Sequence, residues 1–226
     1  MGSARKARLI LASASPRRAE ILRDAGFEFE VRPSAVDESL RPGETPAAHV
    51  QRLAREKALA GATGISGPAT VIGADTVVVS GREILGKPTS RLDARRMLRL
   101  LSGMTHRVLT GVAVLHLEPG RRLARGRRHR RSELQSDVEA THVTFAPLSN
   151  REIEAYVAGG EPDDKAGAYA VQGRGGRFVT RIEGCYFNVV GLPLPRLYRM
   201  LLEIGFQEGV SKHKRHPELS GRRKKN

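Results

Sequence analysis

The sequence has no tryptophan, and aromatic residues make up only 4% of it. Stacking platforms for single-stranded nucleic acid are therefore few. The single cysteine, Cys185, cannot form an internal disulfide, which suits a reducing compartment. No apolar run approaches the roughly 20 residues that span a bilayer. The run Leu9–Ala12, behind a basic start, is too short for the apolar stretch of a signal peptide. A cytoplasmic protein without a membrane span is expected. Histidines at metal-ligand spacing are also missing: His106, His116 and His142 stand apart and have no cysteine partner, which argues against zinc. There is no G-x-x-x-x-G-K-[ST] phosphate loop. Gly173-Arg174-Gly175-Gly176 resembles a dinucleotide loop only superficially, since it neither follows a clear strand nor opens a helix.

What the chain has in excess is positive charge, formally +15 over 226 residues. Residues 121–131 (RRLARGRRHRR) hold seven Arg and no acid, and residues 212–226 hold seven Lys/Arg against Glu218. These two stretches account for 13 of the 15 charges, so the remaining body is near neutral. With 39% hydrophobic residues, that body is large enough for a buried core in one large domain or two small lobes. The expected organisation is a flexible N-terminus (1–7), a folded domain (8–206) with an Arg-rich loop at 120–135, and a basic disordered tail (207–226). Solvated loop and tail are the plain interpretation of the basic stretches. Non-specific contact with RNA or DNA is the alternative, and in its strongest form the protein is a basic nucleic-acid-binding module with a vestigial nucleotide cleft.

Strand-like and helix-like segments alternate along the body, which predicts an α/β fold. Leu9–Ala12 reads as a buried strand, followed by a helix from Pro16 to Ala25 with Ser15 as N-cap. Phe27–Arg32 alternates like a half-exposed strand. A helix from Thr45-Pro46 to Ala62 carries the stripe Val50, Leu53, Ala54 and Ala58, and Lys57 projects from that same stripe. Thr70–Ala74 reads as a strand ending at polar Asp75-Thr76. Leu92–Leu101 reads as a helix, Thr105–Leu117 and Asp137–Phe145 as long strands joined by an extended hairpin loop, and Ser149–Ala158 as a capped helix. Residues 159–176 read as irregular and too polar for core. Phe178–Ile182 and Tyr186–Val190 read as strands, and Pro193–Ile204 as a last amphipathic helix.

Three constellations carry chemistry. Ser13-Ala14-Ser15-Pro16-Arg17-Arg18, between a strand and a helix start, offers hydroxyls, free N–H groups and two guanidinium ions to an anion, or else simply caps a helix. Gly73-Ala74-Asp75-Thr76-Val77 puts an acid at a strand end, where open α/β sheets place ligands. Asp75 there can hold a divalent cation, take a proton from water or merely cap a turn. Lys57, Lys87 (in Gly-Lys-Pro) and Lys165 are cations suited to the charges of a triphosphate, although each alone is more often a surface lysine. Asp37 and Glu38 form a second acidic pair able to share a metal with Asp75.

These same blocks carry a resemblance to the Maf (septum-formation) family of nucleotide pyrophosphatases. They are LASASPRR (11–18), RLAREKA (52–58), GADTVVV (73–79), LGKP (85–88), LSGMTHRVLTGVAV (101–114), GEPDDKAGAYAVQG (160–173) and NVVGLPL (188–194). The resemblance implies an elongated mixed β-sheet flanked by helices, with two lobes around a central cleft, like the inosine-triphosphate pyrophosphatases. It implies a dTTP/UTP pyrophosphatase that uses a divalent cation (Mg²⁺ or Mn²⁺) and often forms a homodimer. By the same resemblance Asp75 is the proton acceptor. Arg17, Thr76 and Gln172 match positions linked to base selection, and Ser13, Arg18, Glu38, Lys57, Lys87 and Lys165 match polar positions that line the cleft. From the acidic residues themselves, the divalent cation is expected at Glu38 and Asp75. The amide of Gln172 donates and accepts, so it suits the O4/N3–H edge that uracil and thymine share and that cytosine reverses. The Arg-rich insert and the tail depart from the usual family pattern, and so does Ala146, where relatives often carry a larger residue.

Overall fold

A computed structural model of the chain describes residues 8–118, 121–122, 128–129 and 132–206. The expectations for 1–7, for most of the Arg-rich loop and for the tail beyond 206 lie outside the described residues. Strand β1 (Arg8–Leu11) leads through Ser13–Ser15 into helix α1 (Pro16–Asp24), and β2 (Glu30–Val31) returns beside it. Helix α2 (Pro46–Gly61) then precedes the central strand β3 (Ala69–Ser80), and short β4 (Glu83–Leu85) folds back on the end of β3. Helix α3 (Arg91–Leu101) leads into the long strand β5 (Thr105–Leu117). Two-residue β6 (Arg121–Arg122) and β7 (Arg128–His129) pair with each other, as expected of a hairpin, before long β8 (Ser132–Phe145). Helix α4 (Asn150–Ala158), β9 (Val179–Glu183), α5 (Tyr186–Val190) and α6 (Leu194–Glu203) follow.

The main sheet runs β2-β1-β3-β5-β8-β9, parallel at β2-β1-β3 and antiparallel thereafter. It is the mixed α/β sheet flanked by helices that was expected. Along β3, side chains alternate between faces. Val71, Val77 and Val79 pack in the clusters that contain Val50, Ala54 and Ala58 of α2. The opposite face is divided: Ile72 and Ala74 join the cluster of α1 and α6, while Val78 joins that of α3 and α4. Thr76 falls between these two clusters, at the seam of two lobes. Among the described residues, no helix is long and apolar enough to cross a membrane.

Two glycines bring α2 down onto the sheet. A Cβ on Gly73 would lie 2.1 Å from the carbonyl oxygen of Ala54, and one on Gly111 would lie 2.1 Å from that of Val50. Gly111 stands opposite Asp75 in the β3–β5 register. The close seat therefore lies at the level of the acid.

Several expectations need correction. β3 does not end at Ala74; it continues through Asp75 and Thr76 to Ser80 because β5 pairs with it from Ala69 to Val79. What ends there is its neighbour. β1 pairs only with 69–72 and β4 only with 78–80, so the β3 edge at 73–77 has no strand beside it. Tyr186–Val190 is a short helix and not a strand. Buried Asn188 donates through Nδ2 to the Val108 carbonyl (3.0 Å) and to Thr141 Oγ1 (2.9 Å), which anchors the turn, and Gly191 at φ +126° ends it. A five-residue apolar run does not distinguish helix from strand by period. Residues 159–176 are irregular, built largely of 3-10 turns at 161–164, 166–168 and 174–178, but part of them is core: Gly167, Ala168, Tyr169 and Ala170 are buried. β8 begins at Ser132 and not Asp137, because it pairs with β5 along its whole length.

Candidate active site

The gap along the β3 edge opens into a cavity of about 470 Å³. Ser13, Arg17, Arg18, Glu38, Lys57, Asp75, Thr76, Lys87, Lys165 and Gln172 all line it, so every site residue expected from sequence except Asp37 reaches one hollow. Its lining includes Arg17, Arg18, Lys57, Lys87 and Lys165 against Glu38, Asp75 and Asp164, a surplus of positive charge that suits an anionic ligand.

The geometry turns on Asp75 and Thr76, which as strand neighbours project to opposite faces. Asp75, 9% exposed, faces α2, where buried Lys57 donates from Nζ to its Oδ1 at 2.7 Å. The same ammonium group meets Glu38 Oε1 at 2.6 Å. Burial raises the pKa of Glu38, but the hydrogen bond and charge of Lys57, with Lys87 and Arg18 beyond, outweigh it and hold the carboxyl below its ordinary value. Lys57 thus draws together two carboxylates from separate segments. The close seat of α2 on Gly73 and Gly111 is what lets a lysine on a buried helix face reach the strand.

Thr76 lies on the other face, where its Oγ1 pairs with Thr110 Oγ1 at 2.9 Å and accepts from Arg18 Nη2 at 3.0 Å. Arg18 also donates from Nε to the Gly191 carbonyl (2.7 Å), and from Nη1 to Ser13 Oγ (3.0 Å) and the Ala74 carbonyl (2.8 Å). Burial lowers its pKa from the ordinary arginine value, opposed by the nearby carboxylate of Asp75. Four of its five N–H groups are engaged within the protein, which makes it first a brace for the open β3 edge and for the Ser13 loop.

The far wall is built on Asp164, which binds Arg17 at 3.7 Å and also pairs with Lys165. Burial raises its pKa, yet Lys165 and Arg17 bring it below the usual range. The next turn is anchored to the loop of Lys87 by Gly167 N–H donating to the Gly86 carbonyl at 3.0 Å, so Lys87 and Lys165 come from linked segments. Gly167 at φ +69° is held against Val78, where a Cβ would meet side-chain atoms at 2.8 Å. Gln172 is exposed in the turn after Ala170.

Asp164, Tyr169, His49 and Ser34 also contribute polar groups to the lining, although none of them stands out in the sequence as a site residue. For His49 the one signal is spacing, since it precedes Leu53 and Lys57 by four and eight residues on the same helix face. Its Nδ1 lies 3.0 Å from Glu44 Oε2. Asp37 takes no part in the lining; its Oδ1 accepts from the Ser39 N–H at 2.9 Å.

Among the described residues, no group of three or more His, Cys, Asp and Glu side chains is placed to hold a metal ion. The convergence of Glu38 and Asp75 on one cation nevertheless supplies two hard oxygen donors. That fits Mg²⁺, which is commonly held by one or two carboxylates together with substrate phosphates.

Residues 8–204 match the family of Maf-like proteins. The dTTP/UTP pyrophosphatase of Vibrio cholerae is 51% identical over 187 residues, covering 83% of this chain and 92% of that protein. The dTTP/UTP pyrophosphatase of Geobacter sulfurreducens is 50% identical over 200 residues, covering 88% and 98%. That of Anaeromyxobacter sp. Fw109-5 is 52% identical over 198 residues, covering 88% and 90%. A solved nucleoside-triphosphatase / dITP/XTP pyrophosphatase from Mycobacterium abscessus is 13% identical, with a TM-score of 0.32 over 62% of this chain and 75% of its own, too distant to carry an argument. With the matched motifs converging on one cationic cavity around Asp75, and relatives of about half-identical sequence along nearly their whole length, the chain belongs to the Maf family.

Proposed function

We propose that the chain hydrolyses dTTP and UTP to the monophosphate and pyrophosphate, with Asp75 as general base. The observation that carries this is the placement of a carboxylate against a buried lysine in a cavity with surplus positive charge, in a chain about 50% identical to proteins named for that activity.

In the proposed reaction the triphosphate lies along the cleft with its phosphates towards Lys57, Lys87, Lys165 and the remaining donor of Arg18. Lys57 engages Asp75 Oδ1, so Oδ2 is the oxygen that receives the proton of an attacking water. The water oxygen bonds to the α-phosphorus in line, the bond from that phosphorus to the bridging oxygen breaks, and pyrophosphate departs with the bond electrons. Lys57 orients Asp75, and the other lysines neutralise charge that builds on the leaving group. A divalent cation held by Glu38 and Asp75 would supply further charge neutralisation at the phosphates. Arg17, Thr76 and Gln172 are assigned to base selection, with Gln172 pairing to the O4/N3–H edge of the pyrimidine.

The test is pyrophosphate release over a nucleotide panel. The intact enzyme is expected to favour dTTP and UTP and to be poor on CTP. General-base help is typically worth about 10²–10⁴-fold, so Asp75→Asn should lose turnover on that scale while still binding dTTP. Near-full activity in Asp75→Asn would remove Asp75 from the chemistry.

A further inference from the structure

We infer that Glu161 and Tyr156 are positioning residues that set the base selectivity of the cleft, by clamping both ends of the turn that presents Gln172. The inference rests on Gln172 reading the base.

Gln172 belongs to a turn closed by the Gly173 N–H donating to the Ala170 carbonyl at 3.3 Å. It is exposed, and an exposed glutamine on an irregular segment selects a base edge only if its backbone is fixed. The fixing comes from outside the turn. Glu161, at the start of the 3-10 turn after α4, accepts from the Arg174 N–H at Oε2 (2.9 Å) and from the Gly175 N–H at Oε1 (3.0 Å). Successive backbone N–H groups thus hold one carboxylate just beyond Gln172. On the near side, the Ala170 N–H donates to the Tyr156 hydroxyl at 3.2 Å, and that hydroxyl donates to Glu161 Oε1 at 2.8 Å. A continuous bonded path therefore runs from Ala170 through Tyr156 and Glu161 to Gly175, with Gln172 inside the loop it closes.

The clamp also explains the glycines that flank Gln172. A Cβ on Gly173 would lie 2.5 Å from Glu161 Oε1, and one on Gly175 would lie 2.6 Å from the Tyr156 hydroxyl. Backbone and clamp approach more closely than any side chain allows. Tyr156 is fully buried on α4, packed edge-on against Phe178 with ring centroids 5.1 Å apart, so the clamp stands on the core. Burial and the adjacent carboxylate raise the Tyr156 pKa, which keeps its proton available for Glu161. Burial raises the Glu161 pKa, but the two N–H groups and the hydroxyl outweigh it and keep the carboxyl ionised. Neither side chain is among the residues that line the cavity, so their influence on substrate passes through Gln172.

The test compares kcat/KM for UTP and CTP, with thermal melts, in the full-length protein and in Gln172→Leu, Glu161→Gln and Tyr156→Phe. Glu161→Gln turns its amide N–H₂ towards a backbone donor, and Tyr156→Phe keeps the ring while removing the bridge to Ala170. Both are expected to lower the UTP/CTP ratio by about tenfold or more, mainly through a higher KM for UTP and less through kcat. Equal losses on both nucleotides with the ratio unchanged, or a wild-type ratio in the folded variants, would overturn the clamp. Should Glu161→Gln fail to fold, the ratio in Tyr156→Phe decides. Gln172→Leu separates the two levels: if it keeps discrimination, the base is read elsewhere and the inference falls with that assignment. If it loses discrimination while the clamp variants keep theirs, only the clamp is wrong.

Discussion

Arg18 and His106 show how a single side chain can be fixed by its surroundings. The Arg18 guanidinium spends four donors on Ser13, Ala74, Thr76 and Gly191, three of which belong to motifs distant in sequence. An ammonium group in its place keeps the charge but cannot span that fork of acceptors. Arg18→Lys is expected to destabilise the fold by about 2–4 kcal/mol, as buried acceptors lose partners, measured by urea unfolding. An unchanged midpoint would show that the brace is dispensable. His106 is 2% exposed, with Nε2 2.9 Å from the Tyr169 hydroxyl, and burial lowers its pKa from 6.5 to about 4. Between those values the unfolded chain binds the proton and the folded protein does not, so stability rises with pH across the window and falls on acidification. His106 should cost the protein roughly 3 kcal/mol between pH 6.5 and 4. His106→Gln, which can still bond to Tyr169, should flatten that part of the stability–pH curve. Identical curves for the two proteins would remove His106 as the source.

At the scale of elements, the seat of α2 decides whether Lys57 reaches Asp75. Gly111→Ala places a methyl group 2.1 Å from the Val50 carbonyl, opposite Asp75, so the helix must lift. Overpacking of this kind costs about 1–3 kcal/mol, and displacement of a catalytic group by about 1 Å can cost on the order of 10²-fold in rate. Gly111→Ala should therefore melt at a lower temperature and lose at least about tenfold in kcat on dTTP. A variant that melts early but turns over normally would separate the helix seat from the chemistry. The elements themselves were largely readable: α2, α3 and α4 carry clear caps and apolar stripes, and β5 is a long apolar run between turns. Nine of the ten expected site residues in the lining were readable because they lie in contiguous motifs that resemblance could align, whereas Glu38 lies outside those motifs and stood out only as half of an acidic pair. Hidden from sequence was anything set by long-range pairing. Asp75 looked terminal because polarity rises at 75–76, whereas the strand is carried on by β5; Arg18 looked like a phosphate ligand because its four acceptors lie mostly in distant segments. The short helix α5 and the buried stretch 167–170 were missed because neither is long enough to show a period.

At the scale of the molecule, the strand ends that lead into and out of the basic segment are remote from Asp75. The β5–β8 pairing reaches Leu117↔Ser132, six residues beyond Gly111, or about 20 Å along the strand. Deleting 121–131 together with 212–226 should leave pyrophosphate release close to that of the intact protein while abolishing retention on a polyanion such as heparin. Loss of turnover in that deletion would mean that the basic stretches belong to the enzyme's working structure. Sedimentation of the intact chain tests the homodimer that the resemblance implies, and a monomer at every concentration would refute it.

Asp75 and Thr76 are consecutive on one strand, so the carboxylate belongs to the α2 side and the hydroxyl to the Arg18 side. A one-residue deletion upstream within β3 would bring the hydroxyl of Thr76 to the ammonium of Lys57, and a one-residue insertion would bring the carboxylate of Asp75 to the cage of Thr110 and the Gly191 carbonyl. Changes of length are therefore barred from this strand. A new nucleotide preference is then reached by substitution at Thr76 or by remodelling the turns at the rim, and not by altering the length of β3.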